Sequence, residues 1–276
     1  MSGPTATVVA DSLSIDGHRL TTMEVKLHHY VAKELLTHRK FSRGAASHRA
    51  IPLAKTIESL RRDPAIPPSF GTVKPGMQAG PPLDGEDAVL ALGVWLNAMD
   101  DAIEQAKKLD TMGVHKSLTN RLLEPFAWAT YVITATDWEG FFYQRCHEDA
   151  EEALRLAALV MRDAMVDSVP RLATSLPRVA QAPWHLPYVH LDEIEECWRR
   201  SIDPRRISVA RVARVSYLNH HGERDLDEDA QLFLRLVERD PMHAGPLEHV
   251  ATPAGQWRQN TANLRGWVNL RTLMGH

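Results

Sequence analysis

The chain has 276 residues, of which 44% are hydrophobic and 24% charged, and its formal net charge is -3. That length buries a substantial core, and so mild a charge gives no global field that would draw the chain to nucleic acid or an anionic membrane. Its two cysteines, Cys146 and Cys197, exclude a disulfide framework and a cysteine zinc site, and point to a reducing compartment. No basic stretch followed by an apolar one opens the chain, and no apolar run approaches the roughly 20 residues that span a bilayer. The reading is a cytoplasmic protein with no membrane partner.

In chain order, Thr5 to Ala10 mixes β-branched and small residues and reads as a strand. Leu13 to Ile15 reads as a second short strand, closed by a turn at Asp16-Gly17. From Thr22 the spacing of Val25, His28, Val31 and Leu35 predicts a helix, with Thr22 as its N-cap. That helix leads to Thr37-His38-Arg39, after which Lys40 to Ala50 is polar, small and basic without a clean period. Leu53 to Arg62 reads as a helix stopped before Pro64. Pro67 to Gly85 is dense in proline and glycine and reads as a loop, of a length that is usually functional or mobile.

Glu86 to Leu109 is strongly amphipathic, with Leu92, Trp95, Met99 and Ile103 along one face and Gly113 near its end. Asp137 to Met165 reads as another long helical stretch. Val209 to Tyr217 fits a strand or a helix by period alone. Leu226 to Arg239 reads as a helix with Leu232, Phe233, Leu236 and Val237 inward. Nothing has the composition of a linker, so residues 1–276 read as one α/β (α+β) domain, a mixed sheet with long helices.

Chemistry concentrates in Thr37-His38-Arg39-Lys40-Phe41-Ser42-Arg43-Gly44-Ala45-Ala46-Ser47-His48-Arg49. Guanidinium forks bind phosphate through charge-assisted bonds and serine hydroxyls add shorter ones, so the run suits a nucleotide phosphate. On composition alone, a solvated basic loop is the simpler account. A second block runs Asn120-Arg121-Leu122-Leu123-Glu124-Pro125, and Thr134-Ala135-Thr136-Asp137-Trp138 then leads to Phe141-Phe142-Tyr143-Gln144-Arg145. A third comprises Ala213-Arg214-Val215-Ser216-Tyr217, then His243 with Pro246-Leu247-Glu248-His249. Near the end stands Arg265-Gly266-Trp267-Val268-Asn269-Leu270-Arg271. His243, Glu248 and His249 include metal-ligand residue types, but their spacing is not the helical His-Glu-x-x-His pattern and Pro246 interrupts a helix, so no metal is expected. No Gly-x-Gly-x-x-Gly or phosphate-loop motif occurs.

Together these blocks resemble the flavin-dependent thymidylate synthases, with the third block following the Arg-His-Arg-type segment instead of preceding it. Thr37 stands where the family has its first Arg, Gly44-Ala45 where it has Asn-Glu, Glu151 for Gln, and Asn269 for a substrate-binding Gln. The resemblance implies a thymidylate synthase-complementing-protein-like fold and sites shared between subunits of a homotetramer. It implies FAD as cofactor, held by His38, Arg39, Ser42, Ser216, His243 and Glu248. It assigns the nucleotide phosphate to Ser47, Arg49 and Arg121, the base to Arg145 as the catalytic residue, and a further substrate contact to Asn269. The implied reaction moves a one-carbon unit from methylenetetrahydrofolate to C5 of a deoxypyrimidine monophosphate, dUMP to dTMP, with NADPH a candidate electron donor. The departures keep a dCMP hydroxymethylase of the kind found in phages as the alternative, with host cytoplasm as its location. From another class comes a non-catalytic protein binding a nucleotide, or nucleic acid through Arg39 to Arg49; nucleic acid is not the expected partner.

Overall fold

The protein, seen here in a computed structural model, is described over residues 3–255 and 261–275. It is a mixed α/β structure around a five-stranded sheet. Strands β1 (Thr5–Leu13) and β2 (Arg19–His28) form an antiparallel hairpin. The turn between them needs Gly17, whose φ of 82° lies in the left-handed region that side chains avoid. The expected short strand at Leu13 to Ile15 does not stand alone. β1 runs on to Leu13 through an irregularity between Val8 and Ala10, and Ile15 sits exposed in the turn.

The helix expected from Thr22 is a strand instead, and Thr22 caps nothing. Met23, Val25 and Leu27 alternate onto one face of β2 and are wholly buried, a period of two that the spacing of Val25 and His28 obscures. Only Val31 and Leu35 fall in helical turns, at His29–Val31 and in α1 (Ala32–Leu35).

On the far side of β2 lies β4 (Trp128–Ala135), and the edge strand β3 (Ser42–Ala45) pairs with β4. A two-residue strand, β5 (Arg171–Leu172), runs parallel to β1, giving the order β3-β4-β2-β1-β5. Between β3 and β4 come α2 (Leu53–Arg62), the long α3 (Gly85–Thr111) and α4 (Lys116–Thr119). α2 and α3 bury Leu53, Ile57, Met99 and Ile103 against Leu123 and Phe126, which makes a side layer next to the sheet.

The stretch expected as one helix over 137–165 is two, α5 (Glu139–Arg145) and α6 (Glu152–Asp167). The chain breaks because Glu151 turns its carboxylate back to accept from Leu154 N at 2.8 Å, capping a new helix. α6 buries Leu154, Ala157 and Met161 on one sheet face. Among the described residues no helix is long and apolar enough to cross a membrane.

The C-terminal half covers the other sheet face. It comprises the short strands β6 (Arg178–Val179) and β7 (Ala182–Pro183), helices α7 (Leu191–Arg199), α8 (Pro204–Arg214) and α9 (Leu226–Val237), and the pair β8 (Ala251–Pro253) and β9 (Trp267–Asn269), followed by α10 (Leu270–Leu273). Of the segment Val209 to Tyr217, which fitted either state by period, the part up to Arg214 is helical: Asp203 accepts from Arg205 N at 2.9 Å and Pro204 opens the first turn. Within α8, Arg211 is fully buried and ties three helices together. It donates to Asp229 at 2.7 Å, to Glu193 at 2.8 and 2.7 Å, and to Tyr188 O at 2.8 Å. Replacing Arg211 by Ala leaves the buried Asp229 with Arg214 alone and takes from Glu193 its two guanidinium hydrogen bonds. Urea titration should then show unfolding free energy reduced by about 3–5 kcal/mol; a loss below about 1 kcal/mol would mean that the helices do not need this cation.

Candidate functional site

The basic run that drew attention in the sequence passes through β3. Ser42 is buried, and its hydroxyl accepts from Asn263 Nδ2 at 3.0 Å. Just before β3, His38 accepts a hydrogen bond at Nε2 from Arg145 Nε, 3.0 Å away, and Glu34 lies 3.7 Å from the same guanidinium. Burial lowers the His38 pKa, and the cations Arg145 and Arg43 lower it further. The ring is therefore neutral with its proton on Nδ1, where it can donate. The imidazole meets Phe141 edge-on at 4.8 Å, which fixes its plane.

Beyond β3, Ser47 and Arg49 are exposed, as is Arg39 before it. The following turn is tied to the Arg121 block by Asn120 Nδ2 donating to Ile51 O at 3.0 Å and Lys116 Nζ to Ala50 O at 2.9 Å. Arg121 itself is exposed, with Glu124 3.5 Å away. The two contacts flank β3: His38 and Arg145 lie before it, at the Thr134 end of β4, and the Ile51–Asn120 contact lies beyond it, past the pairing of Ala46 N with Thr130 O.

The third block reaches the same edge from above. The turn Gly245–His249 packs on β3 and β4. His243 is exposed, Glu248 is paired with Arg271, and the Ser216 hydroxyl accepts from Leu218 N at 2.9 Å, closing a local turn after α8. Asn269 is buried and caps α10, its side chain accepting from Thr272 N at 2.9 Å. His243, Glu248 and His249 do not converge, and among the described residues no cluster of metal-ligating side chains occurs.

Sequence reasoning missed what lies behind this edge. Ser42, Thr134 and Thr22 stand opposite one another on β3, β4 and β2, so they share the face that the C-terminal half covers. A continuous hydrogen-bonded chain crosses that face. Ser12 Oγ meets His185 Nδ1 at 2.7 Å, and His185 Nε2 meets Thr22 Oγ1 at 2.8 Å. Thr22 meets the Thr134 hydroxyl at 2.6 Å, and Thr134 meets His249 Nδ1 at 2.8 Å. His185 and His249 are both wholly buried, and burial pushes their pKa values down to about 3, helped at His185 by His249.

Each link needs one proton, and each threonine has one to give. The chain is then satisfied in two directions: both imidazoles carry their proton on Nε2, or both carry it on Nδ1. At its far end His249 Nε2 is buried without a partner. It lies beside Gly44, where an added Cβ would sit 3.6 Å from that nitrogen and 2.8 Å from Val132 Cγ1. The strand has room for no side chain at this point, so β3 offers only backbone there. His185 sits in a short run with no periodic signal, and Thr22 was absorbed into the expected helix; only the cross-strand register reveals the row.

No protein-family model and no curated protein matches the chain. Among solved structures it is similar to PolB, a UMP/dUMP methylase from Streptomyces cacaoi, bound with 5-Br UMP. The TM-score is 0.50 at 16% identity, covering 60% of this chain and 90% of that one. A structure of the same methylase with 5-Br dUMP gives a TM-score of 0.49 at 14% identity, covering 60% of this chain and 91% of that one. At that identity the likeness is one of fold.

The buried histidines make a signed prediction. Both titrate in the folded state well below the unfolded value near 6.5, so between about pH 6.5 and 3 the unfolded chain binds more protons and stability falls as pH falls. Each contributes a slope of up to about 1.4 kcal/mol per pH unit in that window. Urea titrations at pH 6 and pH 5 should show this acid loss, and His249→Gln should reduce its slope. An unchanged slope in the variant would mean that His249 is not the buried neutral base described.

Proposed function

We propose that the protein transfers a one-carbon unit from methylenetetrahydrofolate to C5 of a deoxypyrimidine monophosphate, dUMP to dTMP, with FAD as cofactor. The observation that carries this reading is that the distant blocks all contact the edge strand β3 or the segments leading into and out of it: Arg145 meets His38 before it, the Arg121 turn meets the Ile51 backbone after it, and the Gly245–His249 turn packs on it. The fold likeness to a UMP/dUMP methylase supports a nucleotide as the substrate.

In this reading Arg49 and Arg121 are free to hold the phosphate dianion, because both are exposed and only Arg121 has a weak carboxylate neighbour. The Ser47 hydroxyl adds a neutral donor. Arg145 turns one nitrogen to His38 and keeps others for a pyrimidine carbonyl, whose polarisation withdraws charge from the ring. His38, neutral, presents an Nδ1 proton and no competing charge.

The donor set also fits a flavin. His249 Nε2 is a buried ring nitrogen lacking a partner beside a glycine, and Arg39 and His243 are exposed. His38, Arg39 and His243 would hold the cofactor; Ser42, Ser216 and Glu248, already bonded within the chain, would shape its cradle. When bound, FAD would supply the reducing equivalents for the one-carbon transfer. A homotetramer with shared sites and NADPH as electron source belong to the same proposal.

A second reading, dCMP hydroxymethylation, is favoured by two observations. Gly44 leaves β3 without a side chain to read the base, and Asn269 spends its oxygen on a helix cap. A base read by fewer side chains suits a changed pyrimidine specificity.

Incubating the protein with reduced FAD, methylenetetrahydrofolate and either dUMP or dCMP, followed by mass analysis of the nucleotide, separates the two readings. A gain of a methyl group on dUMP is expected; a hydroxymethyl group on dCMP would establish the second. Arg49→Ala and Arg121→Ala should each weaken nucleotide binding by about tenfold to a hundredfold, the cost of a charge-assisted contact, with the melting temperature kept. A colourless protein inert towards both nucleotides would sink the proposal.

A further inference from the structure

Glu34, in α1, stands four residues before His38 and shares its neighbour. The chain leaves α1 in further tight turns: Thr37 N donates to Glu34 O at 3.2 Å and His38 N to Leu35 O at 3.3 Å. Arg43 of β3 locks these turns by donating to Leu36 O. Both side chains reach one guanidinium, that of Arg145 in the last turn of α5. His38 Nε2 accepts from Arg145 Nε at 3.0 Å, and Glu34 Oε2 lies 3.7 Å from Nη1. The third nitrogen, Nη2, has no partner among the described residues.

The two neighbours differ in kind. His38 takes one nitrogen through a directional bond, which a long side chain needs if its planar fork is to point one way. Glu34 adds an anion beside a second nitrogen. Its side chain is 42% exposed, so the ion pair contributes little to stability. What the arrangement can do is hold an orientation, and that depends on the charge of His38. A protonated ring would donate from Nε2 and set a second cation against Arg145. The surroundings oppose this: burial lowers the His38 pKa, and Arg145 from α5 and Arg43 from β3 add to the effect. Two uncharged rings, Phe41 and Phe141, pack on the imidazole at 5.7 and 4.8 Å. Lys40 is paired with Asp137, and Glu151, whose pKa is raised chiefly by burial, also feels Glu34.

We propose that Glu34 is a positioning residue: together with neutral His38 it seats the Arg145 guanidinium and leaves Nη2 as the nitrogen that reaches the pyrimidine carbonyl. What Arg145 touches rests on the nucleotide reading above, whereas the seat is a property of this chain alone. Substrate contact stays with Arg145, and Glu34 acts through it.

The full-length protein with ¹⁵N-labelled arginine is followed by NMR, the Arg145 Nε–H signal being assigned from Arg145→Lys. At neutral pH that proton should be protected from exchange with water. Glu34→Gln should speed its exchange about threefold to fivefold, the upper range for an exposed ion pair. Acid should release it as His38 titrates, below about pH 6.5. His38→Gln, which brings an amide oxygen near the Nε2 position and does not titrate, should keep it protected in acid. With dUMP, reduced FAD and methylenetetrahydrofolate, Glu34→Gln should lower kcat about threefold to fivefold. The nucleotide KM, set by Arg49 and Arg121, and the melting temperature should stay as they are. The proposal is overturned if the Arg145 signal is indifferent to Glu34→Gln or to acid. It is equally overturned if Glu34→Gln changes KM alone, or lowers kcat and melting temperature together, the mark of a merely structural pair. A protein that shows the NMR signature and turns over neither nucleotide would refute the reaction and leave the seat standing.

Discussion

The sheet can be covered on its second face because the buried hydroxyls of Ser12, Thr22, Thr134 and Ser42 are each answered there. Thr22 and Thr134 bring two hydroxyls to the middle of that face, next to the buried Ser12. A buried hydroxyl without a partner costs about 1–3 kcal/mol, so an apolar covering layer alone would be penalised at each one. His185 and His249, from two separate stretches of the C-terminal half, supply the missing partners at 2.7 and 2.8 Å. They also fix the position of that half, since a hydrogen bond tolerates far less displacement than a hydrophobic contact does. Position along the sheet is thereby coupled to position of the Gly245–His249 turn on β3. The second consequence is electrical: the same burial that makes these bonds strong keeps both rings neutral.

What could be read from the sequence depended on whether the signal was local. The amphipathic stretch carrying Trp95, Met99 and Ile103 is a helix because one face of α3 packs on α2 and Phe126, and that face has a period of its own. The loop over 67–85 and the helix over 53–62 follow from proline placement and helical spacing, both local. β2 was misread because Met23, Val25 and Leu27 share their register with residues that also fit helical spacing, and the strand's partners lie on β1 and on β4 a hundred residues away. β4 gave no alternation to detect, since its residues from Tyr131 to Ala135 are all buried. The break between α5 and α6 rests on a single carboxylate turning to cap a helix.

The candidate site divides the same way. The cationic run from Arg39 to Arg49 is visible because phosphate chemistry needs particular side chains close together in one stretch, and Arg39, Lys40, Ser47 and Arg49 are exposed on either side of β3. The pairing of His38 with Arg145 joins two blocks that the family resemblance had treated as separate contacts, one for cofactor and one for base. Thr22, His185 and Ser12 had no such signature. Each is an ordinary residue whose meaning comes from the strand register that sets it opposite another. Asn269 illustrates the converse: its position in a motif suggested a ligand, while its backbone position, at the start of a helix, gives its oxygen a structural task.

Backbone strain beneath the site has an identifiable support. Tyr188 and Val215 both adopt left-handed conformations, with φ of 62° and 53°, and a β-branched residue there is costly, on the order of 1–3 kcal/mol. Both side chains are buried with Val132 of β4, so neither can relax without opening the contact between α8 and the sheet. Arg211 holds both: its guanidinium donates to Tyr188 O, and its own carbonyl accepts from Ser216 N, one residue past Val215. A neutral side chain of similar volume could fill the space, but it could not grip a carbonyl in a left-handed turn while two carboxylates anchor it from behind. The buried cation is therefore best understood as fixing the geometry of the chain over Val132 and Gly44, the stretch of sheet on which His249 rests, and its cost in desolvation is offset by three acceptors arranged around one fork.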